Sequence, residues 1–161
     1  MNISEYNRCV DDVSDRLYRF LLKNTKENEV AKDLVQESFM RLWERHKEVN
    51  AGKGKSWLFT TAYRLMIDHF RKNKRMENLE ITGHQEGRVE NVYSDLKEIL
   101  NKAVEQLPEI QRSVILLRDY EGYSYHEISE ITGLNDNQVK VYIFRARMFL
   151  KKFIGKPEVI I

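Results

Sequence analysis

The sequence predicts an all-α protein with two small helical domains, an N-terminal helical bundle and a C-terminal four-helix domain with a helix-turn-helix, joined by a flexible linker. Apolar residues recur at three- and four-residue steps along most of the 161 residues, as they do on one face of a helix. Seven glycines and two prolines are too few for the turns of an all-β fold. We place the domains at residues 1–76 and 95–161, with the linker at residues 77–94.

Three amphipathic segments make up the first predicted domain. The first includes Val13 and Leu17, and the second begins near Glu27 and carries Leu42 and Trp43 on its apolar stripe. A segment with two glycines, residues 50–56, then interrupts the pattern. A third helix is predicted from about residue 56 to residue 74, and its apolar side comprises Trp57, Leu58, Thr61, Ala62, Leu65 and Phe70.

The second domain carries the clearest local signals. After an acidic, aperiodic stretch, a helix is predicted at residues 95–106, and Pro108 suits the first position of the next helix. Ser124 and Glu127 form the pattern of a capping box, as do Asn135 and Gln138. Gly133 between these two helix starts suits a left-handed helix end. These signals predict a helix-turn-helix, although an ordinary helical hairpin with a solvated basic face is the alternative.

The charge is segregated along the chain, which the formal net charge of +2 conceals. Residues 64–75 carry five basic and one acidic side chain, and residues 138–156 carry six basic and no acidic ones. Residues 77–98 carry six acidic and two basic side chains. Basic stretches of this kind are typical of proteins that bind polyanions such as nucleic acids.

The last helix is a candidate DNA reader, because a recognition helix meets base edges near its start and phosphates further along. Asn137, Gln138, Lys140 and Val141 are the candidates for base edges, where an amide can bond adenine and an apolar group can touch a thymine methyl. Tyr142 suits either role. The candidates for phosphate contacts are Arg145, Arg147, Lys151 and Lys152.

The third helix interleaves aromatic and basic side chains, which is how proteins hold single-stranded DNA: rings stack on unpaired bases and cations follow the backbone. About half of such aromatics are core residues of an amphipathic helix, so both interpretations remain open. The side chains concerned are Phe59, Tyr63, Arg64, His69, Phe70, Arg71, Lys72, Lys74 and Arg75.

Three stretches together resemble an extracytoplasmic-function (ECF) sigma factor of the sigma-70 superfamily. They are DLVQESFMRLWE, WLFTTAYRLMIDHFRKNKR and LPEIQRSVILLRDYEGYSYHEISEITGLNDNQVKVYIFRARMFLKK. They occur in the family's order and cover most of residues 5–153. The resemblance implies a factor that binds core RNA polymerase and directs initiation at promoters. One departure is that many members carry a small polar residue and then Arg where this chain has Val141 and Tyr142, which implies an altered base preference.

The resemblance also assigns residues to partners. The second helix would dock on the clamp helices of the polymerase β′ subunit through Asp33, Gln36, Glu37, Met40 and Arg41. The minus-ten promoter element would be opened and read by Asn50, Lys53, Lys55, Trp57, Tyr63, Arg64, His69, Arg71, Lys72 and Arg75. The second domain would contact the β flap and read the minus-thirty-five element through Tyr125, Asn137, Gln138, Lys140, Val141, Tyr142, Arg145, Arg147 and Lys151. An anti-sigma partner, commonly membrane-anchored, is implied as well.

Other classes of function have weaker support. A helix-turn-helix regulator that recruits no polymerase would leave the first domain unexplained, and a pure protein-interaction module would leave the basic last helix unexplained. The four histidines and Cys9 show no metal-ligand spacing, and no phosphate loop or nucleophile motif occurs, so we expect no enzyme, no cofactor, no metal and no small-molecule substrate. Without a signal sequence or an apolar span, we expect a soluble, cytoplasmic protein.

Overall fold

The computed structural model describes residues 1–79 and 96–155, and every regular element within these two stretches is helical, as predicted. In the first domain α1 spans Ile3–Thr25, α2 spans Asn28–Arg45 and α3 spans Gly54–Leu79. In the second domain α4 spans Leu96–Gln106, α5 spans Glu109–Ile115, α6 spans Tyr125–Thr132 and α7 spans Asp136–Ile154. A π-helical segment, Leu116–Tyr120, continues α5. No helix in the described part is both long and apolar enough to cross a membrane.

Short polar side chains fix the starts of the helices. Both predicted capping boxes form: the amide of Glu127 donates to Ser124 Oγ at 3.1 Å, and that of Gln138 donates to Asn135 Oδ1 at 2.8 Å. Gly133 takes the left-handed conformation, with φ of 80°, and ends α6 as predicted. The helix-turn-helix is therefore specified locally, because each of these bonds satisfies a backbone group that a helix end leaves unpaired.

Some helix boundaries differ from the predicted ones by a few residues. The third helix, predicted from about residue 56 to residue 74, continues as α3 to Leu79 through residues that contain neither Gly nor Pro. Pro108 lies just before α5 rather than at its first position, in an extended conformation with ψ of 147°. The other predicted linker residues, 80–94, lie outside the described residues, as do residue 95 and residues 156–161 at the end of the second predicted domain.

The two domains pack against each other and share one continuous hydrophobic core. Contacts run from α3 to α6 and from α1 to α5. The ring of Phe59 on α3 lies 5.5 Å from that of Phe20 on α1 and 5.6 Å from that of Tyr123, which precedes α6. A single aromatic side chain thus joins both halves of the molecule.

Polar contacts accompany this apolar interface. Asn24 on α1 is buried, and its Oδ1 accepts hydrogen bonds from Arg112 Nε at 3.4 Å and Ser113 Oγ at 3.1 Å on α5. Burial lowers the pKa of Arg112, an effect that the carboxylates of Glu109 and Glu105 oppose. Because a buried guanidinium requires hydrogen-bond acceptors, Asn24 fixes how the two domains meet.

We predict that Asn24→Ala lowers the free energy of unfolding by about 1–3 kcal/mol, since Arg112 and Ser113 then lose a buried acceptor. Urea unfolding followed by circular dichroism measures the change. The control is Asn7→Ala, an exposed position on the same helix, for which we expect a change within about 0.5 kcal/mol. Equal effects of the two substitutions would contradict the proposed role of Asn24.

Candidate nucleic-acid interface

Helix α3 separates apolar from cationic side chains. Leu58, Phe59, Ala62 and Met66 are fully buried, and they recur at three- and four-residue steps along one side of the helix. The opposite side presents cations to solvent. Its exposed members are Arg64, Arg71, Lys72 and Arg75, and the exposed Asn50 and Lys53 lie in the turn before the helix.

Trp57 lies at a groove of about 1010 Å³ between α2, α3 and α6. Its side chain is only partly buried, unlike that of the neighbouring Phe59. Four basic side chains line the groove, and so do four acidic ones, two of which belong to α6 of the second domain. The charged lining residues are Arg41, Arg45, Lys53, Arg64, Glu37, Glu44, Glu127 and Glu130. The ring is thus bordered by cations, as in sites where a ring stacks on an unpaired base, and by an equal number of carboxylates.

Tyr63 is the minus-ten candidate that the structure places in the core. It is 6% exposed, and burial, followed by the charge of Glu109, raises its pKa. Tyr63 lies one helical turn after Phe59, so both rings point toward the interior. In this arrangement the ring is not available to stack on a base.

His69, another minus-ten candidate, is half-buried, and its Nε2 lies 3.2 Å from Asn73 Nδ2.

Lys55 connects the first domain to the second. Its Nζ lies 3.7 Å from Glu121 Oε2 and 5.0 Å from the centre of the Tyr123 ring. Lys23 on α1 makes a similar contact, with Nζ 3.8 Å from the centre of the Tyr120 ring. Lys55 therefore lies at the contact between the domains in this structure, near a carboxylate and a ring of the second domain.

The polymerase-binding candidates form one surface of α2. Asp33, Gln36 and Met40 are exposed, and Arg41 Nε pairs with Glu37 Oε1 at 3.1 Å. Met40 is 53% exposed although it is apolar. Exposed apolar groups with a polar rim are typical of protein-docking surfaces.

Trp43 extends this surface, although the sequence pattern placed it on the buried stripe. It is 44% exposed, and its ring stacks on that of His46 with centroids 4.4 Å apart. Tyr6 of α1 supports the pair, with its ring 5.0 Å from that of Trp43. Periodicity alone could not find this patch, because Trp43 lies at the edge of the stripe and only the packing of α1 decides which way it faces.

Helix α7 presents most of its candidates to solvent. Asn137, Lys140, Val141, Arg145 and Lys151 are exposed, whereas Tyr125 on α6 and Tyr142 are half-buried. The Tyr125 ring carries cations on its faces, with Arg118 Cζ at 4.7 Å and Lys140 Nζ at 5.9 Å from its centre. The structure thus brings cationic side chains together around the start of α7.

Two of the α7 candidates already have partners within the protein. Gln138 Oε1 accepts the backbone amide of Asn135 at 3.0 Å, as the second half of the capping box. Arg147 Nη2 lies 2.8 Å from Asp119 Oδ1, and this hydrogen bond raises the pKa of Arg147. Both side chains therefore form contacts within the second domain.

Among the described residues no cluster of three or more potential metal ligands occurs.

Two family descriptions match the chain. "Sigma-70 region 2" covers residues 9–76, and "Sigma-70, region 4" covers residues 97–150. These matches coincide with the first domain and with the domain that contains the helix-turn-helix.

Known proteins resemble the chain over nearly its whole length. The ECF RNA polymerase sigma factor SigM of Bacillus subtilis (strain 168) is 33% identical over 162 residues, which cover 97% of each chain. RNA polymerase sigma factor SigV of the same organism is 32% identical over 154 residues, 93% of this chain and 91% of the other.

Solved structures share the fold of both domains. The sigma factor RpoE, in complex with the anti-sigma factor NepR from Bartonella quintana, is 24% identical with a TM-score of 0.82, covering 96% of this chain and 99% of the other. CnrH in complex with the cytosolic domain of CnrY is 21% identical with a TM-score of 0.67, covering 95% and 89%. Together with the matched regions and the identity to SigM, this shows that the chain belongs to the ECF family of RNA polymerase sigma factors.

Proposed function

We propose that the protein binds core RNA polymerase and directs initiation at specific promoters, reading the minus-ten element with its first domain and the minus-thirty-five element with its helix-turn-helix. The observation that carries this proposal is the presence of two exposed cationic surfaces, on α3 and on α7, in one sigma factor. Each surface belongs to a different domain, so two separate stretches of DNA can be held by one chain. RNA polymerase catalyses the synthesis of RNA. The sigma factor acts in the cytoplasm by binding the polymerase and the promoter DNA.

The exposed surface of α2 is the proposed contact with the clamp helices of the β′ subunit. Met40 supplies an apolar centre, and Asp33, Gln36 and Arg41 supply a polar rim. Trp43 and His46 enlarge the apolar part, and Trp is among the residue types that contribute most to binding at interfaces. The second domain would make the further contact with the β flap.

Promoter opening needs a favourable contact for unpaired bases. Stacking on an aromatic ring contributes about 1–3 kcal/mol per base, and Trp57 is the partly exposed ring beside Lys53 and Arg64. We propose Trp57 as the stacking side chain and the exposed cations of α3 as the groups that follow the backbone. Tyr63 then serves as a core residue that holds α3 in position.

When its two domains are packed together, the protein is too short to contact both promoter elements at the same time. Elements named minus-ten and minus-thirty-five lie 25 positions apart, about 85 Å at 3.4 Å per base pair. A compact chain of this length has a radius of gyration of about 15 Å, and so a diameter of about 40 Å. The 16 residues that connect α3 to α4, numbered 80–95, reach at most about 55 Å when fully extended. This length allows the two domains to move apart while they stay connected. We therefore propose that the domains separate when the protein binds a promoter.

An anti-sigma factor is the proposed inhibitory partner. The structures of RpoE and CnrH were each solved with another protein, named as an anti-sigma factor for RpoE. We propose that an anti-sigma factor also binds the present chain. The family resemblance suggests that this anti-sigma factor is membrane-anchored.

Run-off transcription tests the proposed function. Purified core polymerase is incubated with a library of genomic promoters, with and without the protein. We expect a defined subset of promoters to be transcribed only when the protein is present. A helix-turn-helix regulator would bind DNA without directing transcription by core polymerase, and that outcome would contradict the proposal.

We predict that Met40→Ala weakens binding to core polymerase about tenfold without loss of folding, because Met40 lies largely in solvent in the free protein. Fluorescence anisotropy of the labelled protein titrated with core polymerase gives the affinity. Met76→Ala is the matched control, because Met76 is 59% exposed on a different helix of the same domain, α3. Equal affinities of wild type and Met40→Ala would remove Met40 from the interface.

We predict that Trp57→Ala weakens binding of the polymerase complex to a promoter with an unpaired minus-ten segment by about 5- to 150-fold, the equivalent of one stacked base. Trp57→Phe should restore much of the loss, since it keeps a ring. Tyr63→Phe should have no effect on this binding, because it keeps the buried ring and removes only the hydroxyl group. Binding that is unchanged by Trp57→Ala would contradict the proposed stacking role of Trp57.

A further inference from the structure

A small cavity lies between the two domains, where the π-helical segment faces α1. Its volume is about 140 Å³, several times the roughly 30 Å³ that one water molecule occupies in the liquid. Sites for drug-sized ligands begin at roughly 300 Å³, so this cavity suits a small ion or one end of a larger molecule. The residues that line it include Arg16, Arg19 and Lys23 of α1 and Leu116, Tyr120 and Glu121 of the second domain.

The three cations of α1 lie on one side of the helix, because they follow one another at steps of three and four residues. Arg16 and Arg19 are exposed, and Lys23 is partly buried. Arg19 Nε donates to the backbone carbonyl of Asp15 at 3.4 Å. In the described part of the chain neither arginine forms an ion pair with a carboxylate. Since a guanidinium carries five N–H donors, both side chains retain donors for a ligand.

Like charges from both domains meet at Lys23. Its Nζ lies 3.8 Å from the centre of the Tyr120 ring. Burial lowers the pKa of Lys23, and the charges of Arg19 on α1 and Lys97 on α4 lower it further, an effect that the carboxylate of Glu121 opposes. An anion held between the two domains would offset this repulsion.

Glu121 is the lining residue that disfavours an anion. Its Oε2 lies 3.7 Å from Lys55 Nζ, so a cation outside the cavity lining partly neutralises this carboxylate. Three cations and one carboxylate leave a net charge of +2 on the lining. The balance of charge therefore favours an anion over a cation or a neutral molecule.

Arginine side chains bind phosphate through paired N–H donors. We propose that this cavity binds a phosphate or diphosphate group through Arg16, Arg19 and Lys23, and that the bound group favours the packed arrangement of the domains. The walls of the cavity belong to both domains, so their separation takes the site apart. A ligand that binds one of two arrangements shifts the equilibrium toward it. Binding does not depend on the proposed function, whereas the resulting opposition to promoter binding rests on it.

Isothermal titration calorimetry of the full chain with sodium pyrophosphate tests the binding, with sodium chloride added to keep the ionic strength constant. We expect saturable binding of one pyrophosphate per protein. Arg19→Gln should weaken the affinity about tenfold, as for loss of one charge-assisted contact. Arg16→Gln is the second variant, and circular dichroism verifies that each variant is folded.

Arg8→Gln is the matched control, because Arg8 is also exposed on α1 but does not line the cavity. It changes the net charge by the same amount as Arg19→Gln. Arg8 lies eight residues before Arg16, about 12 Å along the helix axis, which exceeds the screening length of about 8 Å at physiological salt. We expect Arg8→Gln to leave the affinity for pyrophosphate unchanged.

Inorganic phosphate and a nucleoside diphosphate distinguish the sources of the phosphate group. Tighter binding of ADP than of pyrophosphate would identify the terminal phosphates of a nucleotide as the ligand. Tighter binding of pyrophosphate or inorganic phosphate would identify a free anion. Absence of saturable binding by all three would overturn the proposal, and so would equal losses of affinity in Arg8→Gln and Arg19→Gln, because the attraction would then be non-specific.

The affinity for core polymerase tests the effect on the packed arrangement. Pyrophosphate at about ten times its dissociation constant should weaken binding of the wild-type protein to core polymerase about tenfold, as for a ligand of the packed form alone. Arg19→Gln should show a much smaller effect, which also controls for any action of pyrophosphate on the polymerase. Equal effects on both proteins would exclude the role in domain packing. Failure of the wild-type protein to bind core polymerase without pyrophosphate would instead contradict the proposed function.

Discussion

The contact of Phe59 with Phe20 and Tyr123 is the interaction on which the rest of the structure depends. It fixes the rotation of α3 about its own axis, because the ring must lie inward between the two domains. Once that rotation is set, Tyr63 also points inward and Arg64 points outward. The cationic surface of α3 is therefore a consequence of how its aromatic face is buried, and a change in the core would move the DNA-binding candidates with it.

The interface between the domains combines apolar contacts with polar groups that can return to water. Arg112, Ser113 and Asn24 satisfy one another when the domains are packed, and water can replace these partners when they part. Lys55 and Glu121 form a similar pair at 3.7 Å. Interfaces of mixed character open more readily than wholly apolar ones, and the proposed contact with both promoter elements requires opening. On that proposal, the same surfaces stabilise the free protein and become available to DNA and polymerase.

The sequence was sufficient for features that depend on neighbouring residues alone. The two capping boxes, the left-handed Gly133 and the order of the helices are local, and each is present as predicted. The orientation of individual side chains was not predictable in the same way. Tyr63 is buried and Trp43 is exposed, and each outcome depends on tertiary packing. The amino-acid pattern thus located the cationic helices, but the fold decides which of their side chains are free to bind.

Energy transfer between two fluorophores, attached at the exposed positions Lys47 in the first domain and Lys102 in the second, tests the central claim that this packed pair of domains separates on a promoter. Single molecules of the free protein should give one high-transfer population, as expected for a globule about 40 Å across. Addition of core polymerase and promoter DNA should replace it with a low-transfer population. Unchanged high transfer in the active complex would contradict the account, and so would a free protein that is already extended.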